Sequence, residues 1–134
     1  MTHVNEIEGI GEVQRKKLEA AGIQTVEALL QEAATPKGRK ELEAKTGIGH
    51  HHLLQWVNQA DLFRIKGIGR QYAELLEKSG VDSVLELKQR NPEHLHAKLA
   101  EINSAHHHVK VVPGIEHVKQ WVEEAKALPR VVEY

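Results

Sequence analysis

The chain contains no cysteine and, in 134 residues, only four prolines, one methionine and five aromatic side chains. Without cysteine there is no disulfide, no thiolate nucleophile and no Cys-ligated zinc, a composition compatible with a reducing cytosol. No apolar run approaches the ~20 residues that a membrane-spanning helix needs. Residues 1–6, Met-Thr-His-Val-Asn-Glu, have neither the basic start nor the apolar stretch of a signal peptide. A cytoplasmic protein with no membrane partner is expected. Five aromatics give no stacking platform for single strands, and no helix gathers Arg, Asn and Gln on one face for base readout. There is no Gly-x-Ser-x-Gly elbow, no phosphate-loop lysine and no evident buried carboxylate pair. Of the three serines, Ser83 reads as a helix cap, and Ser79 and Ser104 lie near helix ends. We therefore expect no catalysis, no cofactor and no small-molecule substrate.

What the chain does have is a repeated glycine turn. Ile7-Glu8-Gly9-Ile10-Gly11 returns as Ile65-Lys66-Gly67-Ile68-Gly69 at an offset of 58, and each copy leads into a short amphipathic segment. The match continues from Leu18-Glu19-Ala20-Ala21-Gly22 to Leu76-Glu77-Lys78-Ser79-Gly80. Further on, Trp56-Val57-Asn58-Gln59-Ala60 pairs with Trp121-Val122-Glu123-Glu124-Ala125 at an offset of 65, which implies an insertion in the second copy around His106–Lys110. Such turns matter chemically because the first N–H groups of a helix lack intrahelical acceptors and can donate to a phosphate.

A net charge of −1 argues against a dedicated nucleic-acid binder, but its distribution is uneven. Residues 1–34 carry three bases and six acids, residues 35–70 seven bases and three acids, and residues 71–134 eight bases and ten acids. The central excess comes from Lys37, Arg39, Lys40, Lys45, Arg64, Lys66 and Arg70.

Nothing alternates convincingly at period two, so the chain is expected to be all-α. The punctuation predicts helices over 12–21, 26–33, 36–45, 50–64, 70–79, 84–90, 92–105 and 115–128. Gly22 and Gly80 fit C-terminal caps, Thr35-Pro36 and Asn91-Pro92 fit N-termini, and Ser83 with Glu86 forms a capping-box pattern. Leu53, Val57 and Ala60, then Val118, Trp121, Val122 and Ala125, trace apolar stripes at helical spacing, which assigns both tryptophans to cores. The expected organisation is residues 1–60 and 61–134, the second ending in an extended tail. A helix around 50–64 without any flexible linker would join them into one rigid body.

In each half the order is turn, helix, connecting helix, helix, second turn, helix. The second turns are Thr46-Gly47-Ile48-Gly49 and Val112-Pro113-Gly114. This pattern resembles tandem helix-hairpin-helix motifs of SAM-like architecture, over nearly the whole chain. The stretches 35–42, 56–64 and 125–131 are similar to a bacterial family catalogued as a domain of unknown function. The wider motif implies sequence-independent contact with DNA phosphates. On that resemblance Gly67 and Gly69 match the turn glycines, Ile68 the apolar anchor and Ala73 the small residue where helices approach, with Lys66 and Arg70 flanking.

The copies differ in charge. Turn one is ringed by Glu6, Glu8 and Glu12, with Arg15 at the small-residue position, and reads as scaffold. Turn two, with Lys45, Gly47, Gly49 and His50, is a second candidate phosphate contact. Turn four has Pro113, which donates no N–H, and reads as a fold element. Lys37, Arg39 and Lys40 follow a helix start and suit either phosphate contact or a solvated helix face beside Glu41 and Glu43.

Ten histidines include the triplets His50-His51-His52 and His106-His107-His108. Consecutive helical residues point about 100° apart, so a triplet cannot converge on one ion, and no metal site is expected. Their protonation as pH falls predicts tighter DNA binding under acidic conditions. The expectation is a weak, non-specific DNA-binding protein led by turn three, Lys66-Gly67-Ile68-Gly69-Arg70. The alternative is an adaptor that uses the same fold to bind an unidentified protein.

Overall fold

A computed structural model describes residues 2–134, and its helices begin where the sequence supplies acceptors. Thr25, Thr35, Ser83 and Asn91 each accept, through the side chain, the amide of the residue three positions on, opening α2 (Val26–Ala33), α3 (Pro36–Thr46), α6 (Val84–Lys88) and α7 (Pro92–His106). Each such cap is worth ~1 kcal/mol over alanine. Three helices, α1 (Glu12–Ala20), α5 (Arg70–Lys78) and α8 (Ile115–Ala127), instead start behind a glycine with no side-chain cap. The remaining helix is α4 (His50–Leu62). All eight predicted helices are present, with ends displaced by no more than two residues. Among the described residues the only β pairing is an isolated bridge between His3 and Thr25.

Two helix ends show why the duplication is legible. Gly22 and Gly80 have φ of +87° and +92°. Ile23 N–H donates to the Leu18 carbonyl and Gly22 N–H to that of Glu19; Val81 to Leu76 and Gly80 to Glu77 repeat the arrangement. This pair of bonds is the Schellman closure, which needs a left-handed residue that glycine adopts without steric cost. The flanking Ile23, Leu18, Val81 and Leu76 are all buried. The capping box at Ser83 is half made, since Glu86 turns away from the cap to pair with Arg90 at 3.1 Å.

The chain divides into two compact units. One comprises residues up to Asp61 together with Arg130–Tyr134; the other is Leu62–Pro129. In the first unit α2 and α1 pack on α3. Leu18, Leu29, Leu42, Leu53, Trp56 and Val57 fill its core. Helix α3 begins so close to the end of α2 that a Cβ on Gly38 would lie 2.2 Å from the Glu32 carbonyl oxygen, so only glycine fits. In the second unit α6 and α7 pack on α8 and α5 on α7, around Leu75, Leu76, Leu87, Leu99, Val118 and Trp121. A fully buried leucine contributes ~1.5–3 kcal/mol. These cores therefore outweigh exposed ion pairs such as Lys16 with Glu12, worth ~0–1 kcal/mol each.

The insertion lies where α7 runs on to His106 and residues 107–114 lead into α8. Asn103, buried in α7, donates to the Val109 carbonyl and accepts the Val109 amide, which pins this connection to the helix.

Candidate nucleic-acid interface

Turn three is built by its own backbone. Ile65 N–H donates to the Leu62 carbonyl and Ile68 N–H to that of Ile65. Gly67, at φ +90°, reverses the chain, and Ile68 drops into the core at 4% exposure. Beneath the turn lies Trp121, whose Nε1 is 3.5 Å from where a Cβ on Gly67 would sit. Gly69 then opens α5, placing Lys66, Gly67, Gly69 and Arg70 on the surface and Ala73 in the core. The arrangement combines two cations with an uncapped helix N-terminus, the electrostatic setting that favours an anion.

One feature opposes it. The Glu124 carboxylate accepts the Lys66 amide at 3.2 and 3.3 Å, so an internal anion already holds one donor of the turn. Nothing in the sequence marked Glu124, since it lies 58 residues away on α8 and only packing brings it there. The neighbouring Arg64 guanidinium donates to the Pro129 carbonyl at 3.1 Å.

Turn one shares the backbone of turn three and not its charge. Gly9 has φ +95°, Ile10 is buried, and Trp56 Nε1 lies 3.4 Å from a Cβ built on Gly9. The cations that follow are engaged by acids: Arg15 binds Glu19 at 3.0 Å and Lys16 lies 3.5 Å from Glu12. In turn two Gly47 closes α3 at φ +74°, while the Thr46 hydroxyl donates to the Leu42 carbonyl and accepts the Ile48 amide. Ile48 is buried, and Lys45, Gly47, Gly49 and His50 face solvent. Pro113 of turn four is buried.

The third cluster is split. Lys37 and Lys40 are exposed, but Arg39 is 1% exposed and is not available to a phosphate. Its guanidinium donates to the carbonyls of Ala33, Ala34 and Glu133 at 2.9, 3.1 and 2.6 Å. Burial pushes this group below its ordinary pKa, with electrostatic attraction to Tyr134 and Glu133 opposing. The cluster Lys37, Arg39 and Lys40 at a helix start carries no mark of this role, because the acceptors belong partly to the distant C-terminal segment. That segment is tied down further by Tyr134, whose hydroxyl donates to Asn58 Oδ1 at 2.6 Å.

Among the described residues no group of three or more His, Asp or Glu side chains is arranged to hold a metal ion. His52 stacks on Trp56 with ring centroids 5.7 Å apart, His108 lies 3.5 Å from Glu74, and His107 closes α7 in the left-handed region at φ 51°. Among the described residues no helix is long and apolar enough to cross a membrane.

Comparison with known proteins adds one assignment. The family described as a domain of unknown function, DUF4332, matches residues 8–128. The chain belongs to this family. No curated protein and no solved structure matches it. The match spans the turn glycines, the stretches 35–42 and 56–64, and residues 125–128 of the third stretch, together with α8 and Glu124. It ends before Arg130–Tyr134, the segment that Arg39 holds.

Proposed function

We propose that this member of the DUF4332 family binds DNA through backbone phosphates, without base sequence preference and without catalysis, using glycine turns of helix-hairpin-helix type. The observation that carries the reading is turn three. There Lys66 and Arg70 flank Gly67-Ile68-Gly69 on the surface, Ile68 anchors the loop in the core, and α5 begins with no side-chain cap. Amide donors, helix dipole and two cations then act on one anion. Turn two, with Lys45, Gly47, Gly49 and His50, is a separate and weaker contact, and Lys37 and Lys40 add attraction in the same unit. The reading places the protein in the cytoplasm, with DNA.

A second reading, an adaptor for another protein, is favoured by the Glu124 carboxylate on the Lys66 amide, which reduces the pull of turn three on phosphate. The two readings differ in salt response. Phosphate binding weakens with a log–log slope of about −0.9 per phosphate neutralised, whereas an apolar docking surface does not. A low-salt titration against duplex, single-stranded and branched DNA, repeated at increasing salt, separates them. Salt-sensitive binding supports the DNA reading, and no measurable binding to any of the three supports the adaptor.

A further inference from the structure

Beside turn three the second unit contains a cavity of about 650 Å3. Its size lies within the ~300–1,000 Å3 range of small-ligand sites. Two of the chain's five aromatic rings meet there: Tyr72 and Trp121 have centroids 5.4 Å apart and planes tilted by 54°. Tyr72 is held in place by its hydroxyl, which donates to the Val111 carbonyl at 3.3 Å. Pro113 adds a further apolar wall. The polar side belongs to α8, where Gln120 and Glu124, one helical turn apart, both line the space. Lys66 and Gly67 line it too, so the cavity is continuous with the proposed phosphate contact.

Charge selects what can enter. Glu124 disfavours a phosphate inside the cavity, and its carboxylate is positioned by the Lys66 amide while retaining lone pairs for another donor. Lys66 disfavours a cationic side chain from a peptide. A neutral, flat, amino-bearing ring attached to a phosphate outside satisfies both: the ring packs on Tyr72 and Trp121, its amino group donates to Glu124, and its phosphate meets Lys66. Carboxylates accept from the cytosine amino group in this manner in other DNA complexes.

We infer that the cavity takes one unpaired, amino-bearing nucleobase of a DNA strand whose phosphate lies on turn three. The inference rests on the phosphate reading above, and it changes the preferred ligand from continuous duplex to duplex with an unstacked nucleotide. Extrusion is cheapest where a base is already unpaired.

The test measures fluorescence anisotropy with three duplexes of one sequence: intact, with a single cytosine bulge, and with an abasic bulge of identical backbone. The cytosine bulge should bind about ten-fold tighter than the abasic bulge, in line with one stacked base. Gln120→Ala, on an exposed helix position, and Tyr72→Leu, which keeps apolar volume, should each bring the two bulges within about three-fold. Addition of deoxycytidine monophosphate should shift the indole N–H resonance of Trp121 in the unmodified protein. Equal binding of both bulges alongside salt-sensitive duplex binding overturns the cavity assignment and leaves the phosphate reading standing. No binding to any duplex overturns both.

Discussion

The guanidinium of Arg39 donates to the carbonyl of Glu133, 94 residues away, at 2.6 Å. A cation that local sequence associates with phosphate is spent instead on joining the start of α3 to the C-terminal segment. Glu133 N–H returns a bond of 2.7 Å to the Ala34 carbonyl, so the two segments hold each other through backbone and side chain together.

Replacing Arg39 with methionine should remove about 2–4 kcal/mol of stability, because buried carbonyls lose charged donors and apolar volume alone cannot satisfy them. Urea unfolding measures the loss, and hydrogen exchange at the Glu133 amide should accelerate. An unchanged midpoint would refute the structural role.

Glycine substitutions should separate by backbone conformation and by the space open to a Cβ. Gly67→Ala places a Cβ at φ +90° and should cost about 1–2 kcal/mol. Gly69→Ala, at φ −109° with no atom within 4 Å of its Cβ, should cost under about 1 kcal/mol. Gly38→Ala meets the Glu32 carbonyl and should cost about 1–3 kcal/mol. Thermal denaturation of the three variants gives the ranking.

Charge reversal at Lys66 and Arg70 together should abolish duplex binding at moderate salt. Both side chains are exposed, so stability should hardly change. Affinity that survives the double change rules out turn three as the leading contact.

Glu124→Gln should strengthen intact-duplex binding by about three- to five-fold, the effect of removing one like charge beside a phosphate in a partly solvated site. Calorimetric titration at constant salt measures it. A weaker complex would mean that Glu124 orders the turn more than it repels the ligand.

Helix positions were legible because their causes are local. Thr35, Ser83 and Asn91 act on amides three residues away, and Gly22 and Gly80 close helices through bonds spanning five residues or fewer. The apolar member of each Gly-Ile-Gly turn was equally readable, and Ile10, Ile48 and Ile68 are all buried. The candidate site was only half legible. Lys66 and Arg70 are on the surface as their charges suggest, but Arg39 is not, although it sits between Lys37 and Lys40 in the same helical turn.

The amino-acid sequence by itself determined an all-helical chain, the positions of its helices and the duplicated glycine turns, because these depend on contacts between near neighbours. Tertiary structure decided which charges are exposed and what stands beside them. Glu124 meets the Lys66 amide, and Tyr72 meets Trp121, only because α8 packs within the same unit as the turn. Arg39 is buried where the Ala33 and Ala34 carbonyls at the end of α2 and the Glu133 carbonyl of the C-terminal segment together accept its hydrogens. Charge and aromaticity are properties of residues, but the field at a turn is set by whatever distant side chains the packing delivers there.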